Sequence, residues 1–150
     1  MNLSKLLLKF GKVETGRQVQ QEVVNSFILL DDDEIVHFFN NKLISSLVSN
    51  SKITSFTSGF EVLRHLKSNP DEIRIIIIDL DMPIMSGWDF LNALRSENYD
   101  QPVYILSSSD ASKEQGRMSS YGFVRGYFLK PLNSNDIRKI LENSKMISAN

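Results

Sequence analysis

Four apolar runs in this chain each end in a residue that could do chemistry. Ser26-Phe27-Ile28-Leu29-Leu30 runs into Asp31 and Asp32, and Ile73 to Ile78 runs into Asp79. Pro102-Val103-Tyr104-Ile105-Leu106 leads to Ser107, and a run near Val124–Leu129 leads to Lys130. If these ends meet, three carboxylates share one crevice, where they repel one another and favour protonation. A hard divalent cation removes that conflict, and Mg²⁺ prefers a few carboxylate and carbonyl oxygens plus retained water. Ser107 adds a hydroxyl donor and Lys130 a point-charge partner for phosphate. Carboxylates, a cation, a hydroxyl and an ammonium together suit phosphoryl transfer, in which charge on the moving group must be balanced.

The elements needed to bring those ends together are legible from periodicity. The run 26–31 is a short strand, and residues 34–48 follow with helical spacing of Ile35, Phe38, Phe39, Leu43, Ile44 and Leu47. Ile53–Thr57 reads as a strand, and Phe60, Val62, Leu63 and Leu66 as a helix stopped by Asn69-Pro70. The isoleucine run ending at Ile78 is apolar on both faces, as a central parallel strand requires. A turn, Asp81 to Gly87, opens a helix with Trp88, Phe90, Leu91 and Leu94. After the fourth strand comes a polar, weakly helical segment at 110–121, then the fifth strand. Asn133 or Ser134 can cap a last helix with Ile137, Ile140 and Leu141 on its apolar face. Strands alternating with helices imply right-handed crossovers and a parallel sheet between two helical layers. Five such units fit the flavodoxin-like doubly wound order 2-1-3-4-5, whose ligand crevice lies outside the carboxyl ends of strands 1 and 3.

Composition narrows the function classes. The chain has 150 residues, 17 basic and 18 acidic side chains, a net charge of -1 and no cysteine. Thiol nucleophiles, thiolate metal sites and disulfides are therefore excluded. Near-neutral charge argues against a partner such as nucleic acid that is held by bulk electrostatics. No apolar run reaches the ~18 residues of a membrane helix, so no membrane insertion is expected, and with no signal peptide the expected location is cytoplasmic. Residues 1–25 carry four basic and two acidic side chains and lie outside the strand–helix pattern. Leu3, Leu6, Leu7, Phe10 and Val13 recur there at helical spacing, although Gly11 and Gly16 weaken a helix. This segment reads either as a weakly docked extension or as an amphipathic helix that packs on the domain or mediates dimerisation. The expected organisation is thus an extension at 1–25, one domain at 26–145 and a short tail at 146–150.

Asp31-Asp32, the string Ile-Asp79-Leu-Asp-Met-Pro83 with Gly87, Ser107-Ser108 and Lys130-Pro131 resemble the receiver domain of two-component response regulators. The resemblance spans about residues 26–145, with each motif at the end of the appropriate strand and in the family's order. It implies that Asp79 accepts a phosphoryl group from a histidine kinase or histidine phosphotransfer protein. It implies Mg²⁺ ligation by Asp32 and Asp79, by Asp31 through metal-bound water, and by the backbone carbonyl of Asp81. Ser107 corresponds to the hydroxyl that turns to the phosphoryl group, Lys130 to the lysine that pairs with it, and Tyr127 to the aromatic switch residue. Pro131 corresponds to a proline that usually follows a cis peptide. By the same resemblance the chain is a phosphoacceptor that catalyses its own phosphotransfer and dephosphorylation rather than a turnover enzyme. Its output is expected through contacts with a downstream protein target, because no output domain follows.

Several positions depart from the commonest pattern. Asp81 and Ser109 sit where relatives tune the phosphate lifetime, Ser86 replaces a common aspartate, and Ser107 replaces threonine. His37 and His65 read as packing or surface residues, Trp88 as helix core, and Lys113 and Arg117 as a solvated face. Two other functions start from the same residues. One is a pseudo-receiver that binds partners without being phosphorylated. The other is a phosphatase of the haloacid-dehalogenase type, with Asp79 as nucleophile and Asp81 as general acid. That family places its acidic metal ligands last, whereas here the acidic pair comes first.

Overall fold

The computed structural model describes residues 25–148, so the expectations for the segment before Asn25 lie outside the described residues. Five strands, β1 (Ser26–Leu30), β2 (Lys52–Phe56), β3 (Ile75–Ile78), β4 (Val103–Ser107) and β5 (Val124–Leu129), form one parallel sheet. Their order is β2-β1-β3-β4-β5, the flavodoxin-like order the sequence implied. The helices are α1 (Glu34–Leu47), α2 (Gly59–Ser68), α3 (Gly87–Ser96), a short α4 (Gln115–Met118) and α5 (Ser134–Ser148). The weakly helical segment at 110–121 resolves into a 3₁₀ turn, Ala111–Glu114, leading into α4.

Strand alternation divides the core into two layers. Phe27, Leu29, Ile75, Ile77, Tyr104 and Leu106 face α1 and α5, where they meet Ile44, Ile137 and Ile140. Ile28, Leu30, Ile76, Ile78, Val103 and Ile105 face the other side, against Val62 of α2 and Phe90, Leu91 and Leu94 of α3. All four isoleucines of β3 are buried, as a strand covered on both faces demands. At about 25 cal/mol per Å² of apolar surface, these layers supply the main driving force for folding.

Three of the helices, α1, α3 and α5, begin where the sequence provides a side-chain acceptor for free N–H groups. The Asp33 carboxylate accepts from the Ile35 amide at 2.9 Å, and Ser86 and Asp89 form a reciprocal capping box on α3. Ser86, which stands where relatives commonly carry an aspartate, is therefore the structural cap of α3. Asn133, the first of the two residues expected to cap α5, pairs reciprocally with Asp136.

In α1 the sequence expectation locates the helix but not its inner face. Ile35, Phe38 and Phe39 are 66%, 55% and 63% exposed, whereas His37, Asn40 and Ile44 are buried. Counting apolar residues favoured the wrong stripe, because the inner one begins with two polar side chains. Trp88 is only half-buried. The Arg117 guanidinium lies 4.0 Å from the centre of its ring, so Arg117 is a cation–π partner that ties α4 to α3.

Candidate functional site

The site sits at the carboxyl end of the sheet, where β1 and β3 part company. The chain leaves β1 at Asp31, whose Oδ1 accepts from the Asp33 amide at 2.9 Å, an Asx turn that swings the chain into α1. Asp79 follows β3, and its amide donates to the Leu30 carbonyl at 2.8 Å, so the two aspartates emerge side by side. Both are buried, Asp32 is exposed, and one carboxylate oxygen from each of the three lies within 4.8 Å of the others.

Lys130 arrives from the end of β5. Its backbone amide donates to the Ser107 carbonyl at 2.8 Å, and the peptide bond to Pro131 is cis. Its Nζ lies 2.6 Å from Asp31 Oδ2 and 3.4 Å from Asp79 Oδ2. One ammonium thus serves two buried carboxylates, with a third beside them. Burial, and then the neighbouring Asp31 charge, raise the Asp79 carboxyl above the usual carboxylate range, and Lys130 only partly offsets them. Burial works against the Lys130 charge, but Asp31 and Asp79 outweigh it and raise its pKa.

A glycine keeps the third segment close. A Cβ on Gly87 would lie 2.5 Å from the Asp79 carbonyl oxygen and 2.7 Å from Leu80 Cα, too close to accommodate without movement. The Gly87 amide instead donates to the Leu80 carbonyl at 2.9 Å, closing the loop that carries Asp81. The Asp81 amide donates to Asp79 Oδ1 at 3.3 Å, while its side chain is exposed.

The remaining sequence candidates lie at the rim. The buried Ser107 hydroxyl sits 3.2 Å from the exposed Ser109 hydroxyl and accepts from the Ser109 amide at 3.3 Å. It is paired with Ser109 rather than with Asp79. Tyr127 is half-buried on β5, in register with Ile105, and packs against the core layer shared with α3. Nothing brings its side chain to the carboxylates.

His37 was expected only to pack or to face solvent, and it does more. Its buried ring holds Nε2 2.8 Å from the Asp31 carbonyl oxygen and 3.0 Å from that of Phe56. With Nε2–H donating, the ring clamps the end of β1 to the end of β2 directly beneath the acidic pair. Its place on the inner stripe of α1 was the only available signal, and the neighbouring phenylalanines obscured it.

The donor set fits a hard divalent cation. Asp31, Asp32 and Asp79 supply carboxylate oxygens, and the exposed loop at Asp81 offers a carbonyl. Asp31 Oδ2 is fully buried, and the ammonium 2.6 Å from it is shared with Asp79, so one lysine leaves the carboxylates incompletely compensated. Mg²⁺ suits such a cluster, because it is held by one or two carboxylates and keeps part of its water.

Comparison with known proteins places this arrangement. The family model for the response regulator receiver domain matches residues 27–142. A rice protein (Oryza sativa subsp. indica) named two-component response regulator ORR22 is 28% identical over 145 residues, 95% of this chain and 20% of that protein. Two-component response regulator ORR7 of Oryza sativa subsp. japonica is 32% identical over 118 residues, 76% of this chain and 54% of its own length. The chain therefore spans about a fifth of one relative and about half of the other. Among solved structures, a two component response regulator from Cytophaga hutchinsonii superposes with a TM-score of 0.73 at 29% identity, covering 83% of this chain and 98% of that one.

Proposed function

The chain belongs to the response regulator receiver family of two-component signalling, and from that premise we propose that Asp79 is its phosphoacceptor. The observation that carries the reading is the shared ammonium: buried Asp31 and Asp79 both lean on Lys130, leaving negative charge in excess. An Asp79 oxygen attacks the phosphorus of a phosphohistidine. A P–O bond forms, the P–N bond breaks, and the imidazole leaves with a proton from solvent. Asp79 enters as the carboxylate, because the protonated acid is a poor nucleophile.

When bound by Asp31, Asp32, Asp79 and the Asp81 carbonyl, Mg²⁺ would offset carboxylate and phosphoryl charge. Lys130 can leave Asp79 for the new phosphoryl oxygens without losing Asp31. Ser107 exchanges its contact with Ser109 for the phosphoryl group, and Tyr127 moves into the volume this vacates. The acyl phosphate thereby biases the surface formed by β5 and its flanking elements. Asp81 and Ser109, both at the rim, are positioned to tune attack by water.

The proposed partners are a histidine kinase or histidine phosphotransfer protein as donor and a protein as downstream target, with no nucleic acid required. The proposed location is cytoplasmic; no helix among the described residues is long and apolar enough to cross a membrane. This is a stoichiometric switch and not a turnover enzyme. Neither the haloacid-dehalogenase phosphatase nor the pseudo-receiver is favoured, since the family match opposes the first and the complete set of reacting residues opposes the second.

The test is a phosphotransfer profile against candidate phosphohistidine donors, with Asp79→Asn as control. Mg²⁺-dependent labelling that disappears in the variant supports the assignment, and labelling that survives in the variant sinks it.

A further inference from the structure

The inner stripe of α1 carries two polar side chains where a core would take apolar ones. His37 and Asn40 are each 7% exposed, on a face that Ile44 continues as ordinary core. His37 Nε2 meets two main-chain carbonyls, but its Nδ1 is fully buried and has no partner. The Asn40 carboxamide has no hydrogen-bond partner at all among the described residues. Buried polar groups left in this condition oppose folding, and native proteins usually satisfy them with a protein group or an ordered water.

Both side chains border one small void. It lies between α1 and the ends of β1, β3 and β4, where Leu29, Ile77 and Leu106 form apolar walls and Asp31 and Asp79 complete the lining. The space open to the centre of a water molecule is about 10 Å³, close to what a single water takes. That excludes an organic ligand. It also excludes hydrated Mg²⁺, which keeps several waters of its own. The polar lining sets the void apart from the apolar cavities that stay dry.

We propose that Asn40 and His37 hold one water in this void, against the acidic pair. With Nε2–H donating, His37 Nδ1 offers a lone pair. The water donates one proton to Nδ1 and the other to a carboxylate oxygen, and it accepts from the Asn40 amide. Three such bonds are the usual complement of a buried water. Asp31 Oδ2 is the acceptor in greatest need, being fully buried and sharing its ammonium with Asp79. The water joins the inner face of α1 to the carboxylates of the site, and Asn40 is a positioning residue that acts through it.

Exchange with solvent has a route. Asn40 and Leu106 also line a groove of about 340 Å³ beside Pro131 and Leu132, so the void can fill without the sheet opening. None of this requires Asp79 to be the phosphoacceptor, since it concerns the hydration of the unmodified side chain.

The test is a high-resolution crystal structure of the full chain grown without divalent cations, paired with water–protein NOE spectra in solution. The expected result is an ordered water ~2.7–3.2 Å from the Asn40 side chain and from His37 Nδ1 or a carboxylate oxygen. NOE cross-peaks from water to the methyls of Leu29, Ile77 or Leu106 should carry the sign of a long-lived bound molecule. Asn40→Leu, similar in size but unable to bond, should lose the density and the cross-peaks and lower the urea midpoint. A dry void in the unaltered protein would overturn the proposal, and so would a water that stays in place in Asn40→Leu. A raised urea midpoint in that variant would make Asn40 a packing residue and overturn it too.

Discussion

The two ends of the sheet handle buried charge in opposite ways. At the amino end, Glu72 accepts from the Ser26 hydroxyl at 2.7 Å and pairs with Lys52 at 3.0 Å and Arg74 at 3.3 Å. Its main-chain carbonyl accepts from the Gln101 side chain, whose oxygen accepts in turn from the Arg74 amide. Ser26 and the two cations hold the Glu72 carboxyl below its ordinary range. At the carboxyl end, Asp31 and Asp79 share one lysine, and Asp79 is held above its ordinary range. One end has more donors than its carboxylate needs, and the other has more carboxylates than its cation can serve. The difference separates a joint that ties three strands together from a site whose carboxylate charge is left in excess.

The largest effect is expected at the amino end. Glu72→Ala leaves Arg74, 2% exposed, without its carboxylate and should cost about 3 kcal/mol in urea denaturation. A loss below about 0.5 kcal/mol would put Glu72 among ordinary surface pairs and break the contrast.

Next comes Asp79→Asn, which removes one of the two crowded carboxylates. It should stabilise the fold at neutral pH, read by urea denaturation. The sign follows from the raised pKa. Keeping Asp79 charged disfavours the folded state above that pKa, so the advantage of the asparagine must shrink as pH falls through it. Glu72 behaves oppositely: the stability it contributes is present above its unfolded pKa and is lost as pH falls through its lowered folded value. Denaturation between neutral and acid pH on Glu72→Gln and Asp79→Asn should therefore give differences of opposite sign from the parent protein, both converging on zero in acid.

His37→Leu tests whether the carboxyl end owes its shape to the clamp. The buried Asp31 carbonyl and the part-buried Phe56 carbonyl each lose a donor, at a cost of about 1.5 kcal/mol. Amide exchange should rise around Asp31 and Phe56 and stay unchanged around Glu72. Smallest is Ser86→Ala, expected to cost about 1 kcal/mol through loss of the α3 cap, read by thermal denaturation.

The same contrast explains what the sequence made legible. Asp31, Asp79, Ser107 and Lys130 each end an apolar run, and a doubly wound sheet gathers such ends, so their shared place at one edge of the sheet could be read from patterning. The amino-end joint could not. It depends on Ser26 lying in register with Lys52 and on Glu72 reaching across to both, and separation along the chain hides that geometry. In α1 the helix was legible and its inner face was not, because burial follows hydrogen-bond satisfaction as well as hydrophobicity. His37 is inside because its ring reaches two main-chain carbonyls, whereas Phe39, with no such partner to find, stays 63% exposed.

The most direct measurement is chemical trapping of the phosphorylated side chain. The protein is incubated with Mg²⁺ and a small phosphoramidate donor, reduced with borohydride, and mapped by peptide mass spectrometry. The account predicts a single reduced aspartate, at position 79, absent without Mg²⁺. A trapped residue elsewhere, or none under conditions that preserve acyl phosphates, would contradict it.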